Sequence, residues 1–409
     1  MRTNILEKYM KKQALVLAAA MLMSVSALAK EGSEPVHRGS IPKLDHVFVI
    51  MMENHLKQEI IGNPNAPFMN QEAQEAGQAT NYYGVGHPSL VNYLELTGGS
   101  NFGITNDDPL NWVSGPCHSN QYSNDCSGAV DSIYNGGEDI ATPATAPSGG
   151  CNGQISFSGT PVDHNCALRN YASITYTPKT IAHQLVEAGL SWKDYQESLP
   201  TTGPRVDGVY YSDGNFSNLT PSSFFTSNTP TPVISQLYVT DHNPFVFFAD
   251  VQQGYDPLLS ENQVQEWNGA AGLYQDLATG DVPSLSFIVP NKCHDIHTVS
   301  GQANTCSDQQ ADIQLSDSVI KQVVLAIKAS PVWMRGNNAI VIVFDENDYS
   351  NNFNRVPFIV DKNYGTAGSQ VTTPYDHFDL LHTLEAGFRL PCLNHACDTT
   401  AEFISLFDK

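Results

Sequence analysis

Three apolar segments of the sequence run directly into polar residues of the types that bind cations. The polar groups are Glu53-Asn54-His55 after VFVIMM, Asn291 with Asp295 and His297 after SFIVP, and Asp345-Glu346-Asn347-Asp348 after IVIVF. Carboxylates, amide oxygens and imidazoles are suitable ligands for a divalent metal ion. In a parallel α/β sheet the carboxyl ends of the strands share one edge, where ligands bind. Three acidic groups at that edge would repel one another without a cation, so the pattern predicts a divalent metal site.

Acidic residues also begin ordinary loops after strands, so one such group alone would carry little weight. Three of them in one chain favour the metal site over that alternative. His377, near the start of the last predicted helix, would be a further ligand.

The stretch GHPSLVNYLELTGG, residues 86–99, has the apolar spacing of a helix and ends at two glycines. Ser89 stands at the predicted start, where serine is a common helix cap. If this helix begins at the same sheet edge, metal coordination would make the hydroxyl a nucleophile near neutral pH. The N-terminal amides of the helix would hold anionic oxygens. The sequence therefore predicts that Ser89 is both cap and nucleophile, an arrangement suited to phosphoryl transfer.

The chain alternates apolar runs with helical patterns, which is typical of an α/β fold. We predict strands at Asp45–Glu53, Phe245–Val251, Ser284–Pro290 and Ala339–Glu346. We predict helices at Thr180–Leu190, at Ser316–Ser330 with a serine or aspartate cap, and at Tyr375–Phe388.

Residues 1–29 have the pattern of a signal peptide. Two lysines precede the apolar run ALVLAAAMLMSV, which is short for a membrane span, and Ala27-Leu28-Ala29 fits a signal-peptidase site. We expect an exported protein, periplasmic or secreted, without a stable membrane anchor; the alternative is an uncleaved anchor. Residues 30–409 would form a single domain, with a loop-rich insertion at about 101–165.

The eight cysteines fit an oxidising compartment. Local spacing suggests the pairs Cys392–Cys397 and Cys293–Cys306. The remaining four cysteines allow three connectivities and would pin the insertion. A zinc site is disfavoured because the sequence contains no C-x-x-C spacing.

The charge balance is strongly acidic, with 42 acidic and 20 basic residues and a net charge of −22. Such a surface repels nucleic acid and anionic membranes, so we expect neither as a partner. An anionic substrate would need a local positive charge, which a bound metal would provide.

Several segments together resemble the bacterial phosphoesterases, the family of acid phosphatases and phospholipases C within the alkaline-phosphatase-like superfamily. Glu53-Asn54-His55 is similar to the family's E-N-H opening, and HPSLVNYLELTGG to its H-P-S-x-x-N-Y-x-x-L-T-x-G block. Further matches, in the family's order, are SWKDYQESLP, DHNPFVFFADV, VPNKCHDIHT, FDEND and YDHFDLLHTLEAGF. The resemblance implies a three-layer α/β sandwich with a central, mostly parallel sheet.

The resemblance also implies roles for individual residues. Ser89 would be the nucleophile and form a phosphoserine intermediate, with His242 and His297 as the other catalytic residues. The metal ligands would be Glu53, Asn54, Asp345, Glu346, Asp295 and His377. The chain departs from the family pattern at Val91, where proline is common, and at Lys292-Cys293-His294.

The function expected from this resemblance is an exported, metal-dependent phosphomonoesterase of the acid-phosphatase type. Its substrate would be a phosphorylated small molecule or a lipid head group. The alternatives are a phospholipase C or other phosphodiesterase, and a non-catalytic exported binding protein. The acidity of the chain favours the monoesterase over a membrane-docking phospholipase, and the presence of Ser89 speaks against the binding protein.

Overall fold

A computed structural model describes residues 41–102, 179–199, 238, 240–248, 250–251, 256–297, 309–348, 353–398 and 401–409, with short strands at 116–117 and 130–131. The predicted signal peptide and nearly all of the predicted insertion lie outside these residues.

The strands of the described chain are short, with none longer than seven residues. They are β1 (His46–Met52), β2 (Gly77–Ala79), β3 (Tyr82–Tyr83), β4 (Pro116–Cys117), β5 (Val130–Asp131), β6 (Trp192–Gln196), β7 (Val264–Glu266), β8 (Leu285–Val289), β9 (Asn338–Phe344), β10 (Arg355–Val356), β11 (Phe358–Lys362), β12 (Ser369–Val371) and β13 (Tyr375–Asp376).

Eight of these strands form one sheet in the order β12-β2-β11-β9-β1-β8-β6-β7. Only β11 runs against the direction of the others in this sheet. Three short strands form a separate sheet in the order β10-β3-β13, and β4 pairs with β5. The main sheet is therefore mostly parallel, as the sequence predicted.

The helices are α1 (Lys57–Ile60), α2 (Pro67–Glu75), α3 (Ser89–Gly98), α4 (Ile181–Glu187), α5 (Leu273–Thr279), α6 (Gln309–Ala329) and α7 (His377–Phe388). They pack in two groups: α3, α4 and α7 contact one another, and α6 contacts both α2 and α5. One group covers each face of the sheet, which confirms the predicted three-layer α/β sandwich.

The central strands are apolar on both faces. Every residue of β8 and β9, and every residue of β1 after His46, is buried. A parallel strand covered by helices on both sides has no polar face, so its sequence is a continuous apolar run. This explains why the strands at Asp45–Glu53, Ser284–Pro290 and Ala339–Glu346 were predicted correctly.

The predicted strand at Phe245–Val251 is wrong. Pro244–Phe247 forms a 3₁₀ helix instead. Phe245, Val246 and Phe248 are all buried, and a short, wholly apolar run does not reveal its own period. Proline at the first position, where its fixed backbone angle suits a helix, was the signal for the correct assignment.

The helix predicted to begin at Ser316 begins earlier, at Gln309. The expected cap residues have other partners because they lie inside the helix. Ser316 hydrogen-bonds the His294 carbonyl. The Asp317 carboxylate accepts from the N–H groups of Phe68 (2.9 Å) and Met69 (2.8 Å) and so caps α2.

One predicted disulfide, Cys392–Cys397, is present. Cys293 is also disulfide-bonded, and the proposed partner Cys306 lies outside the described residues. Among the described helices, none is both long and apolar enough to cross a membrane.

Candidate active site

The three predicted ligand groups lie together, because β9, β1 and β8 are neighbours in the sheet and run parallel. Backbone hydrogen bonds join the residues that follow these strands. Glu53 N–H donates to the Asp295 carbonyl (3.1 Å), and Asp345 N–H donates to the Met52 carbonyl (3.0 Å). Asn54 N–H donates to Asp345 Oδ1 at 3.1 Å. The strand ends therefore form one cluster.

Ser89 is at this cluster, but it does not cap its helix. Pro88 occupies the cap position, and Ser89 is the first helical residue. Its hydroxyl instead donates to Glu53 Oε2 at 3.0 Å. The expectation of a capping serine is thus wrong, because the hydroxyl hydrogen-bonds the carboxylate of Glu53, directly after β1.

Two further residues of α3 hold the acidic cluster. The Tyr93 hydroxyl donates to Glu53 Oε1 at 2.6 Å, and Asn92 Nδ2 donates to Glu346 Oε2 at 2.9 Å. Positions i, i+3 and i+4 share one face of a helix, so Ser89, Asn92 and Tyr93 point the same way. This spacing within the HPSLVNYL segment was the signal by which Asn92 and Tyr93 could have been identified, and sequence reasoning missed it.

Asn92 also fixes the segment that leads into the helix. Its side-chain oxygen accepts from the N–H groups of Val85 and Gly86, each at 3.0 Å. His87 Nδ1 lies 2.8 Å from Glu346 Oε2. Close packing restricts the same segment, since a Cβ at Gly84 would lie 2.3 Å from the Asp345 carbonyl oxygen.

His242 is buried between two carboxylates. Its Nε2 lies 3.3 Å from Glu53 Oε1, and its Nδ1 lies 3.3 Å from Asp295 Oδ2. The ring stacks on Tyr93, with centroids 5.4 Å apart.

His297 is partly exposed, and its ring centroid lies 5.5 Å from that of His242. With the Asn54 amide oriented so that its nitrogen faces Glu346, its oxygen accepts from His297 Nε2 at 3.2 Å. One ligand atom from each of Glu53, His242 and His297 lies within 4.8 Å of the others, close enough to share a cation.

His377 contacts the backbone of this cluster and not its carboxylates. Its Nε2 is 2.7 Å from the backbone oxygen of Asp345, and its Nδ1 is 2.9 Å from the Tyr82 hydroxyl. Both ring nitrogens are therefore engaged, Nε2 as donor and Nδ1 as acceptor. The contact is with the loop that carries Asp345 and not with the carboxylates.

The electrostatics of the cluster are unusual because its acids are buried together. Burial raises the pKa of Asp345 to about 7, an effect that the Asn54 N–H and the side chains of Glu53 and Ser89 partly offset. Burial likewise raises the pKa of Asp295 to about 7. The pKa of Glu53 is raised well above its ordinary value by burial and then by Asp345 and Asp295.

The donor set fits a divalent cation. Asp345 Oδ2 is buried and accepts no well-formed hydrogen bond from the described residues, and the buried Asp295 Oδ2 has the 3.3 Å contact with His242 Nδ1. No described lysine or arginine forms an ion pair with Glu53, Asp295 or Asp345. Buried carboxylates are normally paired or bind metals, and oxygen and imidazole ligands suit several divalent ions.

The sequence model of the Phosphoesterase family matches residues 63–391. Glu53 and Asn54 precede the matched range, which includes Ser89 and the other predicted site residues.

Named relatives are phosphatases. A phosphatidylinositol-3-phosphatase from Mycobacterium tuberculosis is 24% identical over 383 residues, covering 93% of this chain and 88% of that protein. A probable acid phosphatase from Kluyveromyces lactis is 22% identical and covers 90% of this chain. The chain spans 64% of that yeast protein and 55% of an Aspergillus fumigatus acid phosphatase.

Among solved structures, a protein of the alkaline phosphatase superfamily from Vibrio parahaemolyticus is similar, with 14% identity and a TM-score of 0.44. The likeness covers 91% of this chain and 76% of that one.

Proposed function

Since the chain belongs to the Phosphoesterase family, we propose that it is an exported, metal-dependent phosphomonoesterase that works through a phosphoserine at Ser89. Its broader class, a hydrolase of phosphoric ester bonds, follows from that family and from relatives named phosphatases. The metal, the covalent intermediate, the export and the preference for monoesters are the proposal.

The single observation that carries the proposal is the Ser89 hydroxyl, held 3.0 Å from Glu53 at the start of a helix and beside buried acids. In a phosphoryl transfer the protein mainly positions the groups and neutralises charge. Glu53 positions this hydroxyl, and the buried carboxylates around it are of the type that binds a cation.

We assign Glu53, Asn54, Asp345 and Glu346, with His242, to the metal. A bound divalent ion would supply Lewis acidity and lower the pKa of the serine hydroxyl. His242 moves from the expected catalytic role to the ligand set because it is buried between the carboxylates of Glu53 and Asp295. Asp295 then orients His242 through Nδ1, as carboxylates commonly do for metal-bound histidines.

The chain's own residues account for the remaining steps. Glu53 Oε2 orients Ser89 Oγ and accepts its proton as Oγ attacks phosphorus and the alcohol leaves, and it returns that proton to Ser89 when the phosphoserine is cleaved. The first N–H groups of α3 hold the phosphoryl oxygens. His297, partly exposed beside the cluster, donates a proton to the leaving alcohol and then takes one from the water that cleaves the phosphoserine.

His377 is best described as a positioning residue. Its ring donates to the backbone of Asp345 and accepts from Tyr82, so it fixes the loop from which Asp345 projects. We do not retain the expectation that it is a ligand.

The test is hydrolysis of an aryl phosphate monoester and a matching diester, with and without chelator. We expect monoester hydrolysis that chelation abolishes and divalent metal restores. Ser89→Ala should lower kcat by at least about 10³-fold. Ser286→Ala is the matched control, since it removes another buried hydroxyl within β8, away from the cluster.

Full activity in Ser89→Ala would exclude the phosphoserine, and indifference to prolonged chelation would exclude the metal. A preference for the diester would instead support the phosphodiesterase alternative. The relative named phosphatidylinositol-3-phosphatase makes a phosphoinositide head group a natural second substrate to assay.

A further inference from the structure

A second pocket lies among the segments that leave the candidate active site. Its volume is about 290 Å³, near the lower limit for small-molecule sites and enough for one ring-sized group. Its lining residues are Leu56, Gln58, Tyr83, Phe353 and Arg355.

Short chain connections tie this pocket to the active site. Leu56 is three residues after Glu53, so their Cα atoms are at most about 11 Å apart. Arg355 faces Tyr83 in the β3–β10 pair. Asn354, the residue before Arg355, accepts from the backbone N–H of Asn347 at 2.7 Å, two residues beyond Asp345.

One lining residue, Arg355, is cationic in a chain whose net charge is −22, and Lys57 lies in sequence between the lining residues Leu56 and Gln58. Burial lowers the pKa of Lys57, and the positive charge of Arg355 lowers it further. Neither side chain forms an ion pair with another described residue. Glu59, on the same short helix as Lys57, directs its carboxylate to the Leu56 N–H at 2.9 Å.

Apart from Gln58, the rest of the lining is apolar or aromatic. Phe353 is 60% exposed, although phenylalanine is normally buried, and Leu56 and Tyr83 are buried beside it. An exposed ring in the same lining as the unneutralised Arg355 guanidinium offers a stacking surface and an anion site together.

We propose that this pocket binds a second anionic group of the substrate, so that the preferred substrates are phosphate monoesters whose alcohol carries another phosphate or a carboxylate. The inference rests on the proposed phosphomonoesterase function. The monoester phosphate is held at Ser89, the body of the alcohol lies against Phe353, and the second anion pairs with Arg355 and Lys57. A soluble sugar bisphosphate and an inositol lipid head group share this chemistry.

The experiment measures kcat and KM for three soluble substrates and one lipid. The soluble ones are p-nitrophenyl phosphate, fructose 6-phosphate and fructose 1,6-bisphosphate, and the lipid is a water-soluble short-chain phosphatidylinositol monophosphate. We expect a lower KM for the bisphosphate than for fructose 6-phosphate. Arg355→Gln and Lys57→Gln should each raise that KM about tenfold, the loss expected for one charge-assisted hydrogen bond.

Arg335→Gln is the matched control, because it removes the same charge from an exposed loop before β9, at the opposite end of the strand from the cluster. It should change none of the constants, and Arg355→Gln should leave p-nitrophenyl phosphate hydrolysis unchanged. If Arg355→Gln raises the KM of the lipid as strongly as that of the bisphosphate, the site binds both kinds of substrate. If it raises the KM of only one of them, the site binds that substrate.

Equal KM values for fructose 6-phosphate and the bisphosphate, or equal effects of Arg355→Gln and Arg335→Gln, would overturn this inference while leaving the phosphatase proposal in place. The absence of Ser89-dependent hydrolysis of p-nitrophenyl phosphate would overturn both.

Discussion

Two clusters of acidic side chains in this molecule differ in whether a lysine of the chain neutralises their charge. On the face covered by α2 and α6, Lys328 contacts both Glu72 (3.1 Å) and Asp361. Although burial lowers it, these carboxylates raise the pKa of Lys328. At the carboxyl ends of β9, β1 and β8, the buried acids Glu53, Asp295 and Asp345 form no ion pair with a described lysine or arginine.

Under the proposed function, the difference separates a structural cluster from a metal-binding one. A cluster that contains its own cation is complete when the chain folds. A buried cluster without one costs free energy until a cation binds, and strongly perturbed carboxyl pKa values in a cleft are typical of functional sites. The comparison predicts opposite responses to mutation at the two places.

The largest effect is expected for Asp345→Asn. Activity should fall at least about 10³-fold because a ligand carboxylate is lost. The metal-free variant should nevertheless be more stable than the metal-free wild type, since one buried charge has been removed. Aryl phosphate assays and urea unfolding in chelator measure the two quantities, and lower stability of the variant in chelator would contradict the comparison.

Tyr93→Phe should weaken metal binding about 10- to 100-fold, the usual cost of losing an outer hydrogen bond to a ligand. The measurement is competition with a chromogenic chelator, which needs no turnover. Tyr195→Phe is a close control, because the Tyr195 hydroxyl donates to Asp276 at the same 2.6 Å but outside the cluster. If both variants bind metal alike, Tyr93 has no special role.

Lys328→Met should leave kcat and KM unchanged and destabilise the fold by about 1–3 kcal/mol, because Glu72 and Asp361 lose their partner. Urea unfolding at neutral pH gives this value. A loss of activity larger than the loss of folded protein would show that the two clusters are coupled.

A last expected effect is the pH dependence of the metal-free protein. Asp295 and Asp345 have folded pKa values of about 7 against an ordinary 3.8. The folded state thus binds protons more tightly, and stability falls as pH rises from about 4 to about 7. We expect a melting temperature a few degrees lower at pH 7.5 than at pH 5 in chelator, and a smaller decrease when divalent metal is present. The same decrease in both samples would indicate that the metal does not reach these carboxylates.

Part of this comparison could be predicted from the sequence. Glu53, Asp295 and Asp345 could be placed together because apolar runs identify parallel strands and parallel strands end at one edge. The contacts of His242 could not be predicted, because this residue ends the 3₁₀ helix Thr240–His242, and tertiary packing fixes the path of such short turns. Nothing in the sequence distinguished Lys328, which completes its cluster, from other helical lysines.

Asn92 has a consequence for motion as well as for geometry. Its side chain joins the segment before Ser89 to Glu346, while Tyr93 and Ser89 join the same helix to Glu53. The helix start, normally the first part of a helix to fray, is thereby fastened to loops from two central strands. Local opening at Ser89 would have to break all these bonds at once, so this end of α3 should open only together with the central sheet.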